Sequence, residues 1–549
     1  MKRISLGPAG LALAAVLAWG VLAPPEVRGS GLAAVALFVA VAAIATGAPA
    51  AGTPASVWLF AAIPAALVVC RAAVAPGQTA EPLAALFLAA IAGLAAMAAA
   101  VPTDRLAWLY GALVAFAGGR AVYEGVFGLA AWAVQVRASE PNGLGSAVLN
   151  RLEQGRAYGG FTTPAALGCL LAMTIPAVAS WSLGRRGAAR AAGVAAAAVG
   201  AGGLVATRSV SAMAALAGAA GLAALRGRVA PRLFAVIFSA LALAVIFAGV
   251  TRPDAVFAPS RQDSPWRLRA GNVRIALEIA RDHPLVGVGP GGYAEAFPQY
   301  RREGDNESRH AHDLPAELVA EWGVPVGLAL SAVFLWIFLS PVVFGTGDAR
   351  TLSSGLAVGL AAFALHNLVD FTAFLPSLLV VAAVSRGLIV TAAPAPGVAV
   401  RHRAAWVALA LAVAGICAAS GLSRDALFDA REAAAQGDHA RARTLAGRAR
   451  RLAPWEADPS MIEAEAQMDS GSNEPARALA DADRAVRLAP SRASARWLRA
   501  RARTAAGDAT GAYADLVEAA RLYPTHTEYA TQASALADAL RKASEAAPR

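Results

Sequence analysis

The sequence predicts an all-α polytopic membrane protein with about 13 transmembrane helices, followed by a C-terminal helical-repeat solenoid. Three observations carry this. Of the 549 residues, 57% are hydrophobic and 15% charged, with a mean hydropathy of +0.52; a soluble chain carries nearer a quarter charged residues. Apolar runs long enough to cross ~30 Å of hydrocarbon recur up to about residue 423. Beyond that point the chain changes to Ala- and Arg-rich amphipathic segments.

Taken in order, the candidate spans are 5–23, 31–48, 56–75, 82–101, 105–124, 162–183, 191–207, 209–225, 233–250, 316–343, 352–370, 374–391 and 404–422. Met-Lys-Arg before the first run resembles a signal peptide, but Pro24 and Pro25 follow Val-Leu-Ala directly and disfavour cleavage, so a retained helix is expected. The short Arg-rich loops are Arg185 to Arg190, Arg226 to Arg232, Arg350, and Arg401 to Arg403. With a cytoplasmic N-terminus all four fall on the cytoplasmic side, as the positive-inside rule requires. The long loops 125–161 and 251–315, and the tail, then face outward.

The net charge of +11 is almost all arginine, Lys2 and Lys542 being the only lysines. Its spread over loops and tail reads as topology signal and anion ligand, and no nucleic-acid partner is expected. Cys70, Cys169 and Cys417 each lie in an apolar run and read as buried hydrophobes, not as a disulfide or metal set.

In the tail, Arg-Leu-Ala-Pro454, Arg-Leu-Ala-Pro490 and Arg-Leu-Tyr-Pro524 recur at spacings of 36 and 34 residues. Turn signals at Gly437-Asp438, Gly471-Ser-Asn473 and Gly507-Asp508 separate them. Helix, turn, helix and proline at this period resemble tetratricopeptide repeats, whose concave face binds peptides or partner proteins.

Charge near membrane depth points to function. Arg208, in Thr-Arg-Ser between two spans, reads either as a functional cation or as an interfacial arginine snorkelling to water. Arg120 with Glu124, and His366 with Asp370, are i,i+4 pairs that read first as helix-end ion pairs. In the loop 251–315, residues 268–281 predict an amphipathic helix with Leu268, Val273, Ala276, Leu277 and Ala280 as its apolar side. The following Pro284-to-Gly292 run lacks a Gly-Lys-Ser/Thr ending and reads as a tight backbone turn, not a phosphate cradle. The loop ends in His310-Ala-His312-Asp313.

Four stretches occur in this order: Arg156-Ala-Tyr-Gly-Gly-Phe-Thr-Thr-Pro164; Thr207-Arg208-Ser209; Arg269 followed by the Asp282-to-Tyr293 glycine-rich run; and His312-Asp313 with Glu321, then Trp322-Gly323. Together they resemble the bacterial O-antigen ligase and polymerase family of membrane glycosyltransferases, over roughly residues 150–380. Asp313 stands where the family usually has Asn, and Val273 where it usually has an aromatic; the latter leaves Arg267 and Arg274 as alternatives to Arg269.

The resemblance implies transfer of a glycan from a polyprenyl-diphosphate carrier to an acceptor hydroxyl on a glycan, lipid or protein. The reaction would run on the outer face of the inner membrane, without metal or other cofactor and with inversion. It implies Arg208 and Arg269 as ligands of the donor diphosphate, because the guanidinium fork binds phosphate oxygens in pairs. It implies His312 as general base, with Arg156, Arg274, Asp313 and Glu321 in support. The expected domains are an N-terminal set of spans (1–150), the ligase-like membrane core (151–400), a last span (401–423) and the repeats (424–549). A membrane-anchored scaffold working through its tail explains the tail but leaves the Arg/His loop without a purpose. A transporter would gather its polar residues near mid-membrane, which this chain does not.

Overall fold

In lipid, backbone N–H and C=O groups have no water to bind, so each apolar run must close its hydrogen bonds within itself as a helix. The computed structural model describes residues 7–22, 29–46, 76–98, 103–139, 152–227, 264–345, 348–390, 403–469 and 474–546. No strand occurs among the described residues.

The membrane part runs α1 (Pro8–Leu22), α2 (Gly29–Thr46), α3 (Pro76–Ala98), α4 (Thr103–Tyr123), a π-helical turn Glu124–Gly128, α5 (Leu129–Ser139), α6 (Pro164–Leu183), α7 (Gly187–Ala206) and α8 (Val210–Leu225). After the loop helices α9 (Pro265–Asp282), α10 (Tyr293–Tyr300) and α11 (Leu314–Trp322) come α12 (Val324–Phe344), α13 (Leu352–His366), α14 (Pro376–Val390) and α15 (Arg403–Ala435). Among the described residues six helices are long and apolar enough to cross a membrane, and five shorter ones are apolar. These occupy eleven of the thirteen expected ranges; 56–75 and 233–250, with Cys70, lie outside the described residues.

α6 and α13 form the centre, with almost every residue of α13 buried. Glycine lets them touch: a Cβ on Gly359 would collide with the Met173 carbonyl. α4 and α7 approach in the same way at Gly118 and Gly203. Small residues at crossings let dispersion and close packing hold helices together where lipid supplies no hydrophobic drive. Cys169 and Cys417 are buried free thiols.

Two boundaries and one buried face differ from the sequence expectation. The span expected at 316–343 is two helices, α11 and α12, broken at Gly323, whose φ of 78° ends α11 in a left-handed residue. The chain expected to divide at 423 instead runs through it as one 33-residue helix, α15, because nothing there breaks the ladder. The amphipathic helix, α9, buries Asn272, Ile275, Ala276, Ile279 and Ala280 and leaves Leu277 54% exposed. Two apolar stripes compete on this helix. The one carrying the two isoleucines meets Tyr293, Phe297, Ala311, Ala316 and Ala320 in a small core of its own.

The tail continues as α16 (His439–Leu452), α17 (Asp458–Asp469), α18 (Pro475–Leu488), α19 (Ala493–Ala505), α20 (Ala509–Leu522) and α21 (Thr527–Ala546). Alternate helices start at His439, Pro475 and Ala509, so helical hairpins repeat at the spacing of the prolines. Gly437 and Gly507 take positive φ at the turns, and Asp438 and Asp508 cap the helices that follow. Successive hairpins share small cores built mostly of alanine.

Candidate active site

The ends of several helices meet at one edge of the bundle. Thr163 accepts the Ala166 N–H at 3.1 Å and Pro164 opens the helix, so the Thr-Thr-Pro stretch is an N-cap that starts α6. The loop before it is held from two sides. Glu124, 2% exposed, pairs with Arg120 at 3.0 Å and also accepts the Tyr158 and Gly159 N–H groups at 2.9 and 2.7 Å. The expected ion pair is therefore also the anchor of this loop. On the other side the loop interlocks with the α7–α8 junction. Arg156 Nε donates to the Thr207 carbonyl (3.1 Å), Arg208 Nη1 to the Gln154 carbonyl (3.0 Å), and the Ala157 N–H to the Ala206 carbonyl (3.1 Å).

The glycine-rich run is a backbone turn. Its Val288 and Gly289 N–H groups bond the Ala320 and Glu321 carbonyls at 3.0 and 2.8 Å, satisfying the open C-terminus of α11. Gly287, at φ 60°, lies so close that a Cβ would strike Glu321's backbone carbonyl. These amides are spent on the protein and cannot cradle phosphate.

His310 and His312 have separate surroundings. His310 Nδ1 meets the buried Glu317 at 2.8 Å, and its ring stacks on Phe371 and Phe374 with centroids 4.4 and 5.4 Å apart. His312 lies edge-on to Phe371 at 4.7 Å, and its Nδ1 points toward Asp370 Oδ1 at 3.7 Å, beyond hydrogen-bond length. That nitrogen is buried without a hydrogen-bond partner. Asp313, next in chain, is the N-cap of α11, accepting from Ala316 N–H at 2.9 Å, and Glu321 Oε1 accepts from the Tyr293 N–H at 3.4 Å. The carboxylate facing His312 is thus Asp370, which the sequence reading placed in a helix-end pair.

Asp370 is the hub of the site. It is 1% exposed. Arg269 Nη2 stands 3.5 Å from Oδ2, His366 Nε2 3.9 Å from the same atom, and the Phe371 N–H donates to Oδ1 at 2.9 Å. Burial alone would raise its pKa, but His312, His366 and Arg269 outweigh burial and hold the carboxyl well below the ordinary carboxylate range. His366 passes the connection on: Nε2 pairs with Ser211 Oγ at 3.1 Å, one turn into α8 from Arg208, and Nδ1 with Thr372 Oγ1 at 3.1 Å. Arg274 is committed elsewhere, bonding Glu278 at 2.8 Å and Asp305 at 2.6 Å. Arg269 is therefore the α9 arginine that reaches the hub.

Arg208 and His312, at φ 48° and 58°, are the non-glycine residues with positive φ among the described residues. A left-handed backbone costs a side-chain-bearing residue on the order of 1–3 kcal/mol and is kept where the surroundings over-determine it, often at functional sites. Arg208 has no carboxylate partner among the described residues, and no three His, Cys, Asp or Glu side chains there come together as a metal site.

No curated protein matches the chain. Residues 195–331, which include Arg208, Arg269 and His312, match the family model described as O-Antigen ligase. Residues 195–331 of this multi-pass helical membrane protein therefore carry its match to the O-antigen ligase/polymerase family.

Proposed function

We propose that the protein transfers a glycan from a polyprenyl-diphosphate carrier to an acceptor hydroxyl at the outer, periplasmic face of the bacterial inner membrane. The observation that carries this reading is the meeting of Arg269, His312 and His366 on buried Asp370, within one helix turn of Arg208 through Ser211. In this reading Arg208, free of carboxylates among the described residues, and Arg269, half-buried beside a single one, bind the donor diphosphate.

His312 acts as the general base. The acceptor hydroxyl gives its proton to the imidazole as its oxygen forms a bond to the anomeric carbon from the face opposite the leaving group. The bond from that carbon to the phosphate oxygen breaks, and the carrier diphosphate leaves with the electron pair. The arginines stabilise the charge that develops there, so the reaction needs no metal. Asp370 acts through His312: an anion at Nδ1 favours the tautomer that leaves Nε2 free to accept a proton and stabilises the imidazolium that results. The 3.7 Å separation shortens to a hydrogen bond when substrate loads, as catalytic contacts often do. Arg156 supports the site through the backbone of the Arg208 junction. The tail is read as tetratricopeptide repeats that receive a protein partner.

Proteoliposomes carrying purified protein, lipid-linked oligosaccharide and a panel of glycan, lipid and peptide acceptors, with chelator present, test the proposal. Transfer by wild type and its loss by about 100-fold or more in His312→Ala, Arg208→Ala and Arg269→Ala supports it. A loss of less than about tenfold in His312→Ala, with the protein folded in the membrane, rejects the base assignment.

A further inference from the structure

The helical tail and the loop bearing His312 grip each other through charged groups. Arg492, before α19, places Nε and Nη2 on Glu295 Oε1 of α10 at 2.8 and 2.5 Å, and Nη1 on Asp458 at 2.7 Å. Tyr523, after α20, donates its hydroxyl to Glu307 at 2.5 Å and accepts from Arg301 Nη1 at 2.7 Å. One contact falls on α10 and the other on the segment between α10 and His312.

Each leads into the site. Glu295 stands on α10, whose Tyr293, Ala296 and Phe297 share a buried core with Ala311, the neighbour of His312, and with Ile275 and Ile279 of α9, the helix of Arg269. Arg301 holds the Asp305 carbonyl at 2.9 and 3.1 Å, and the Asp305 carboxylate is bound to Arg274, again on α9. The tail thus touches the segment that leads to the base and reaches the arginine-bearing helix through Arg301 and Asp305. Four helices of the membrane part, α12 to α15, separate loop from tail in the chain, an even number that returns the tail to the loop's side.

We infer that the C-terminal helical array is a clamp on the outer loop, and that Arg492 and Tyr523 are positioning residues that set the placement of His312 and Arg269. The inference rests on the proposed transfer reaction for its rate consequence and on packing alone for its structural one. A shift of about 1 Å at reacting groups costs on the order of 100-fold in rate, so a clamp needs to move the loop only slightly. Occupancy of the tail by another molecule would then reach the site without touching it.

The test uses full-length protein with Arg492→Ala, Arg492→Lys, Glu295→Gln, Tyr523→Phe and the Arg492→Ala/Glu295→Gln pair. Two quantities are read: amide exchange of segment 293–313, and kcat and KM for glycan transfer. Arg492→Ala and Glu295→Gln should each speed exchange of that segment and lower kcat by about tenfold or more, with KM for donor little changed. The double variant should fall no further than the worse single one, because both remove one contact. Arg492→Lys, keeping the charge, should recover most of the rate. Wild-type exchange in Arg492→Ala, or losses that multiply in the double variant, overturns the inference. If wild type transfers no glycan, the proposed function fails while the exchange measurements still decide whether the clamp exists.

Discussion

Replacing Asp370 by Asn tests the centre of the site at nearly constant volume. The change removes a charge that stands 3.5 Å from Arg269 Nη2 and 3.7 Å from His312 Nδ1 in a place 1% exposed. At an effective dielectric near 20, a unit pair at that distance interacts by about 5 kcal/mol. Breaking a buried pair by removing one partner typically costs about 3–5 kcal/mol. Asn keeps an oxygen for the Phe371 N–H and fills the same space, so the stability loss should fall at the low end and leave the protein folded.

The catalytic consequence is separate. His312 loses the anion that fixes its tautomer and holds its imidazolium, and kcat should drop by about 100-fold, roughly 2.7 kcal/mol of barrier. Arg269 keeps its charge and loses its competitor, so KM for the lipid-linked donor should stay the same or fall. The assay is initial-rate transfer in proteoliposomes over a donor series, with thermal unfolding of the same preparations as control. A kcat within about threefold of wild type refutes the role of Asp370. A raised KM with unchanged kcat refutes it too, and would make Asp370 only an organiser of donor binding.

Further outcomes are expected. Asp370 adds no acid limb to kcat/KM above about pH 4, since its depressed pKa makes its stabilising contribution complete above the ordinary carboxylate value and lost only as pH falls through the folded one; a limb above about pH 4 that Asp370→Asn abolishes refutes this. Gly287→Ala should destabilise the loop by about 1–3 kcal/mol, because an L side chain is strained at φ 60° and its Cβ meets the Glu321 carbonyl; unchanged thermal unfolding refutes the turn's role. Glu124→Ala should lower transfer while leaving helix content intact, because it frees the Tyr158 and Gly159 N–H groups that hold the Arg156 loop; wild-type kinetics would separate that loop from the site. Cysteines placed singly at exposed Glu303 and exposed Arg441 should react alike with a membrane-impermeant thiol reagent in intact cells; labelling of one alone refutes a shared side for loop and tail.

Much of this molecule was written in local pattern. Apolar run length dictates helices because lipid leaves no other way to satisfy the backbone, and capping chemistry marks their starts at Thr163 and Asp313. Gly437, Gly507 and the three prolines mark the hairpins of the tail. Arg208, Arg269 and His312 stood out by motif order alone. What the chain's local order conceals is which groups end up face to face. In sequence Asp370 has an obvious i,i+4 neighbour in His366, yet the charge that reaches it comes from Arg269, 101 residues away. His310 and His312 are indistinguishable as letters and differ because Glu317 and a stacked Phe374 occupy the first, while the second meets Phe371 edge-on and faces Asp370. Arg274 is paired with Asp305, which arrives from beyond α10. The buried stripe of α9 was decided by the helices it meets, since periodicity finds a face without saying which of two competing faces turns inward. Helix periodicity and capping act over a turn or two and can be read in the chain. Charge compensation and packing act between segments a hundred or more residues apart, and only the fold brings those together.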